Sequence, residues 1–435
     1  MHKQITLALL VFASAFRANA IDVYGAAPTA RTMALGGIYL GSTGPTDALA
    51  ANPALLTSIG RPYLEITGAG VLAGGQFHNA TPYVGSLESN AGVTGSAGFG
   101  MRIPHTRLSI GLGAFPVSLL SDRWKFQDAP GTAGASYGIQ SNKSAFLAIQ
   151  SSAGLGFEVS RWLSLGAAFG VVDNINTLET PYIFQTNPTL AGLKTLLNLH
   201  TSGIGYNGTF GVIAQPVHSL QIGVSYKTQT TVRSTGAASG DAYAQFAALG
   251  LPFASGFNYK AEVDNVFPQS ASVSLAWQPR RRLRTFVQTD WLNWHKAFVQ
   301  LPVHLTEGNN TLLNTLLNST SLDDSVPLHW KNQLTVRTGC EVSMHEFFTF
   351  QAAYAHGNSP VPASTLMPLT AAITSDTLSA GLGYEKNRYR LQLAYQANLP
   401  NTVNVGASGL LAGEYSNSRT SLWLQTIALT TGIRF

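Results

Sequence analysis

Charge is scarce in this chain: Lys, Arg, Asp and Glu together make up 11% of its 435 residues, against roughly a quarter in ordinary soluble domains. A water-facing surface of this size would be unusually bare. The net charge of +5 is too mild to predict a nucleic-acid partner. Only one cysteine is present, Cys340, which excludes an internal disulfide and leaves stability to backbone pairing and burial. Nowhere does the chain hold 18 uninterrupted apolar residues, so membrane-spanning helices are excluded. The ten histidines show no His-Glu-x-x-His or other metal-ligand spacing, and neither a metal nor a cofactor is expected.

What is present begins with an export signal. His2 and Lys3 precede an apolar run from Ile5 to Phe16, then Ala18-Asn19-Ala20, whose small first and third residues suit signal peptidase. Residues 1–20 read as a signal peptide, removed to leave Ile21 first. Its loss takes away Lys3 and Arg17 and no acid, lowering the net charge from +5 to +3. Glycine (43 residues) and aromatics (10%) are plentiful, and a barrel whose outer wall faces lipid explains both these and the missing charge.

Period-two alternation recurs along most of the chain. Leu220, Ile222, Val224 and Tyr226 alternate with Gln221, Gly223, Ser225 and Lys227; Tyr389, Leu391, Leu393 and Tyr395 alternate with Arg390, Gln392, Ala394 and Gln396. The pattern predicts an all-β fold, a transmembrane antiparallel β-barrel of about 14 strands. The strands fall at 62–75, 91–103, 106–118, 143–158, 162–175, 203–215, 218–233, 258–278, 282–298, 329–343, 346–357, 376–386, 388–399 and 421–435. Short connections such as Pro104-His105 and Asn387 alternate with long ones such as 176–202 and 299–328, the asymmetry expected of periplasmic turns and extracellular loops. The last strand places Trp423, Gln425, Ile427, Leu429, Thr431, Ile433 and Phe435 on one parity. Its terminal aromatic resembles the signal that outer-membrane barrels offer to their insertion machinery.

Two motifs mimic catalytic or nucleotide-binding turns. Gly134-Ala135-Ser136-Tyr137-Gly138 fits a nucleophile elbow but sits in a polar loop, without the strand before and helix after that the chemistry needs. Gly68-Ala69-Gly70 opens no helix; it lies within the first strand, where glycine would let the barrel and an internal plug approach closely. No enzymatic activity is expected from either.

Residues 21–61 do not alternate. They hold Ala30-Arg31-Thr32-Met33-Ala34-Leu35-Gly36-Gly37 and then Asp47-Ala48-Leu49-Ala50-Ala51-Asn52-Pro53-Ala54. This order resembles the hatch of the FadL/TodX family of outer-membrane channels for long-chain fatty acids and aromatic hydrocarbons. Asp290-Trp291-Leu292-Asn293-Trp294 and Tyr354-Ala355-His356-Gly357-Asn358-Ser359-Pro360-Val361-Pro362 also resemble the family, so the likeness runs from hatch to C-terminus, loops excepted. It implies a fourteen-stranded barrel (62–435) blocked by an N-terminal hatch (21–61), with an internal pocket and a lateral exit through a kinked third strand. On that reading Asn52, Pro53 and Ala54 form the gate, and Pro116 marks either the kink or simply the strand's end.

Ligand capture is assigned to apolar positions in three long loops, each read as a short amphipathic helix: Leu190, Leu193, Leu196 and Leu197; Phe246 with Tyr243; Leu312 and Leu316. The alternative is that these loops merely cap one another. A bound carboxylate would need a cation, and the candidates are Lys227, Lys331, Arg337 and Arg390, with Lys194 in a loop. Without one at the pocket, a neutral hydrocarbon is the better ligand. The resulting reading is a monomer in outer-membrane lipid that passes hydrophobic small molecules by diffusion. A lipase-like barrel enzyme and a structural or adhesive barrel with a sealed lumen are the alternatives.

Overall fold

The computed structural model describes residues 27–435; the segment read as a signal peptide, 1–20, and residues 21–26 lie outside the described residues. One antiparallel sheet closes on itself. Its barrel strands are β1 (Tyr63–His78), β2 (Ala91–Arg102), β3 (Leu108–Gln127), β4 (Ile139–Ser160), β5 (Leu163–Ile183) and β6 (Lys194–Val217). Next come β7 (Leu220–Lys227, resumed as Thr230–Asp241) and β8 (Gly256–Phe267, resumed as Ser270–Arg280). The circuit ends with β9 (Leu283–Leu292), β10 (Gln333–Ser343), β11 (Phe348–Gly357), β12 (Asp376–Lys386), β13 (Tyr389–Asn404) and β14 (Arg419–Arg434). β1 pairs with β14 from Tyr63↔Arg434 to His78↔Arg419. That closure gives the 14-stranded barrel expected from the sequence.

Alternation sets inside from outside. On β14, Trp423, Ile427 and Leu429 are exposed, while Leu422, Leu424 and Ala428 are buried. Trp162, Trp277 and Tyr389 are exposed beside the short turns, where an aromatic belt meets the membrane interface.

Several strands run past their expected ends. β3 reaches Gln127, β4 starts at Ile139 and β6 starts at Lys194, so the wall takes up residues read as loop. The loop read as 299–328 contains a hairpin, Gln300–Thr306 with Leu322–Pro327, whose first strand pairs with β8. The segment read as the end of a strand at 293–298 is instead a short helix, Trp294–Ala297.

The N-terminal segment folds inside the barrel. Helices α1 (Ala30–Ala34) and α2 (Pro45–Ala50) and the 3-10 turn Pro53–Ser58 contact strands all round the wall, from β1 through β6 to β14. The sequence dictates this compactness: Thr29 caps α1 through its side chain, Pro45 opens α2, and Asn52 caps the turn. Asp47 accepts hydrogen bonds from Thr29 (2.8 Å), Thr32 (2.5 Å) and Ser42 (2.6 Å), tying the segment to itself.

The wall makes room with glycine. A Cβ at Gly111 would lie 2.6 Å from Leu56 Cδ2, and one at Gly154 2.6 Å from Leu49 Cδ2. One at Gly166 would fall on the Pro53-Ala54 peptide, and one at Gly211 on the Asn52 amide. Gly68 and Gly70, expected to serve this role, do not: a Cβ at either meets nothing within 4 Å. They lie on the outward parity of β1, one residue out of phase with the inner face.

Candidate functional site

A large apolar cavity lies in the upper barrel, with an empty volume of about 1110 Å³. Leu120, Phe146, Leu178, Tyr182, Leu301, Trp330, Met367 and Tyr415 are among the residues lining it. They come from several strands and from the loops 358–375 and 405–418, so no single segment announces the site. Glu414 is the one charged side chain among the described residues that line it.

Glu414 belongs to a buried cluster that ties three extracellular segments together. Lys194 Nζ lies 2.7 Å from Asp128 Oδ1 and 3.0 Å from Glu414 Oε1, and donates to the Ala129 carbonyl at 2.6 Å. The Lys194 side chain is wholly buried, so this ammonium is committed to protein acids. Two carboxylates share one cation, and Asp128 holds the shorter contact. Burial pushes the Glu414 carboxyl up to about 8, against the pull of Lys194 and with Asp128 adding to the rise.

A second, more polar cavity of about 830 Å³ lies lower, between the N-terminal segment and the wall. Phe115, Pro116, Val117, Lys227, Asp290 and Arg337 line it, together with Ala27, Thr32 and Tyr39. Arg337 Nε is 2.5 Å from Asp290 Oδ2, and its guanidinium also donates to the Gly36 carbonyl. Lys227 Nζ sits 5.8 Å from the Phe115 ring centre and 3.4 Å from Gln150 Oε1. Phe146, on the wall of the upper cavity, stacks on Phe267 at 5.0 Å and meets Phe298 at 5.8 Å.

The wall beside this lower cavity is incomplete. β2 and β3 pair only from Ala97↔Ala114 to Arg102↔Ser109. Above that, Gly92–Ser96 pair with β1 alone, and β3 next meets the β2 side at Arg123, whose carbonyl accepts from Glu88 N at 2.7 Å, and at Leu87↔Trp124. Between these limits β3 pairs with β4 only, and that ladder shifts register between Pro116 and Ser118. Proline has no N–H for the β2 side and fits such a break. Phe115 through Leu120 are all buried, so strand alternation lapses there. Ser96 Oγ donates to the Pro28 carbonyl, holding the start of the described chain beside the break.

The other positions singled out from the sequence fall as follows. Asn52 Nδ2 donates to the carbonyls of Val212 (3.2 Å) and Val224 (3.1 Å), and Asn52 Oδ1 accepts from Ala54 N at 3.1 Å. Asn52-Pro53-Ala54 is thereby clamped to β6 and β7. The leucines of 190–197 form no helix: 187–192 is a turn and β6 starts at Lys194. Asn187 Oδ1 accepts from the backbone of Thr189 and Leu190, and that turn feeds straight into the strand. Tyr243–Ala248 and Thr311–Leu317 are helices as expected.

None of Leu190, Leu193, Leu196, Leu197, Phe246, Leu312 or Leu316 lines the large cavity. Most of them join a cluster with Phe257, Tyr259 and Leu313, which adjoins the large cavity through Leu199 and Val263. Lys331 was placed in a strand, but β10 begins only at Gln333 and Lys331 is exposed. Arg390 reaches Thr43 (3.0 Å) and Glu385 (3.7 Å), away from both cavities. Ser136 of the elbow-like motif bonds only within its own loop, donating to the Asp128 carbonyl and accepting from Gly138 N.

A closed β-barrel with an apolar outer wall, an occupied lumen and an internal apolar cavity defines an outer-membrane channel protein. The family model described as outer membrane protein transport protein (OMPP1/FadL/TodX) matches residues 5–405. The chain belongs to that family, and its place is the bacterial outer membrane. A Pseudomonas aeruginosa FadL homologue shares 14% identity, covering 95% of this chain and 99% of its own, with a TM-score of 0.74. The Pseudomonas putida toluene transporter TodX shares 17%, covering 95% and 99%, with a TM-score of 0.74. The Ralstonia pickettii toluene transporter TbuX shares 17%, covering 96% and 100%, with a TM-score of 0.71. At these identities the structures speak for the fold. No curated protein sequence matches.

Proposed function

We propose that this barrel admits neutral hydrophobic small molecules by diffusion: capture in the upper cavity, passage by Phe146 into the lower cavity, and lateral exit at the break beside Pro116. The observation that carries the reading is a large apolar cavity whose only charged lining residue, among the described residues, is an acid. Burying a carboxylate there without a cation costs several kcal/mol, and Lys194, the nearest cation named above, is already shared by Asp128 and Glu414. TodX and TbuX carry the description of toluene transporters, which agrees with an uncharged ligand. The N-terminal segment acts as the hatch on this reading, and Asn52-Pro53-Ala54 as the seat it leaves and regains.

A second reading has one observation in its favour. Lys227 lines the lower cavity beside Phe115 and could meet a fatty-acid head there. Uptake of labelled naphthalene and labelled oleate by expressing cells separates the two. The neutral reading expects accelerated naphthalene uptake, unaffected by Lys227→Met. Oleate uptake lost in Lys227→Met, with naphthalene uptake no faster than in cells lacking the protein, would overturn it.

A further inference from the structure

We propose that the periplasmic mouth of the barrel carries an oxyanion site at the seam where the barrel closes, and that it takes the headgroup of an anionic phospholipid from the periplasmic leaflet.

The pocket lies between the end of the N-terminal segment and the turn joining β12 to β13, with an empty volume of about 1570 Å³. Arg61, Arg388 and Arg434 line it beside Thr43, Ser58 and Tyr63. These arginines come from the approach to β1, the β12–β13 turn and the end of β14. Backbone bonds hold the three segments together: Arg434 N donates to the Arg388 carbonyl at 2.8 Å, and Phe435 N to the Pro62 carbonyl at 2.9 Å. Barrel closure itself therefore gathers the cations.

Every charged side chain among the described residues lining the pocket is basic. Glu385 pairs with Arg434 and lies 3.7 Å from Arg390, which offsets part of the charge. Arg61 and Arg388 are exposed and form no ion pair among the described residues. Like charges gathered in this way repel one another, and an oxyanion among them removes that cost while accepting the paired N–H groups that a guanidinium offers.

Depth in the membrane selects the anion. Tyr389 is 51% exposed in the aromatic belt and borders the same pocket, and the Arg388 guanidinium carbon sits 5.3 Å from its ring centre. Interfacial tyrosines mark the headgroup level, so the pocket stands at the depth of lipid phosphates. The rest of the rim adds a field of the same sign: Arg107, Arg161, Arg280, Arg281, Arg282 and Lys386 are exposed at or beside the short turns. Acids there are fewer. Glu158 and Glu385 are engaged by Arg102 and Arg434, and Glu346 is exposed at the β10–β11 turn. Such basic rims concentrate anionic lipid, and the seam gives it a pocket.

Native mass spectrometry of the full-length barrel in one uncharged detergent tests this, with dioleoylphosphatidylglycerol and dioleoylphosphatidylcholine as probes, each with and without inorganic phosphate. The native protein should retain one phosphatidylglycerol in preference to phosphatidylcholine, and phosphate at equal concentration should not displace it. Arg61→Gln with Arg388→Gln should weaken phosphatidylglycerol binding about 30-fold, and Arg161→Gln with Arg281→Gln, which removes the same charge elsewhere on the rim, should leave it within about twofold.

Equal weakening in both double variants would make the attraction a diffuse property of the rim and overturn the site. Displacement by equal inorganic phosphate would reassign it to a free oxyanion and overturn the lipid. No preference for phosphatidylglycerol would overturn the proposal and leave the rim to an acidic protein surface. The uptake reading stands apart from all three results.

Discussion

Replacing Gly166 with alanine tests how the hatch is held. A methyl group built there would stand 2.7 Å from Ala54 Cα, and closer still to the Ala54 nitrogen and the Pro53 carbonyl carbon. These are backbone atoms of a turn capped by Asn52 and clamped to Val212 and Val224, so no flexible side chain can swing aside. The peptide must retreat by about 1 Å, and overpacking of this kind costs about 1–3 kcal/mol. If the cost falls on hatch seating, local opening becomes more frequent by about 5- to 150-fold, since 1.4 kcal/mol is tenfold. Hydrogen exchange of the amides from Asp47 to Ser58 reads this directly in the native fold. Gly68→Ala, where a Cβ meets nothing within 4 Å, is the matched control and should leave exchange unchanged. Unchanged exchange in Gly166→Ala, or equal acceleration in Gly68→Ala, would refute the glycine-seat argument.

Asn52→Ala removes a turn cap and two hydrogen bonds to strand carbonyls, together about 2–4 kcal/mol; limited proteolysis should then cut near residue 52 in a barrel that still migrates as folded. The extracellular cluster should depend on pH. Burial raises the Glu414 carboxyl from the ordinary 4.5 to about 8, so the folded form binds this proton more tightly than the unfolded one. Its stabilising contribution is complete below the ordinary glutamate range and is lost as pH rises through about 8. Protease cleavage in 405–418 should increase from pH 6 to pH 9 in the native protein and stay level in Glu414→Gln. The same rise in both would show that Glu414 is not the titrating group.

Much of the barrel was legible because a wall between lipid and lumen imposes a two-residue period, as at Leu391, Leu393 and Tyr395 on β13. Legibility failed where that cause is missing. From Phe115 to Leu120 every residue is buried, so β3 loses its period at the break and was cut short at 118. The spacing of Leu190, Leu193 and Leu197 fits a helix by coincidence, yet Leu197 and Leu199 face inward from a strand with Asn198 and His200 outward.

The N-terminal segment stood apart by its lack of alternation and its Asn52-Pro53-Ala54 order. Its glycine seat was not, because Gly111, Gly154, Gly166 and Gly211 acquire meaning only through contacts with residues far away in sequence. The cavity was hidden for the same reason: Phe146, Trp330 and Glu414 belong to one site by topology alone, and several of the loop leucines read as a capture face share one cluster.

The most direct measurement of the central claim is naphthalene uptake by cells carrying a wall-closed variant, in which Val117 is deleted and Pro116 replaced by threonine. Deleting the residue at the register shift and restoring an N–H lets β3 continue its ladder along Gly92–Ser96. With heat-modifiable gel mobility confirming a folded, inserted barrel, the account predicts uptake no faster than in cells lacking the protein. Uptake equal to that of the native barrel would contradict lateral exit and route the ligand elsewhere.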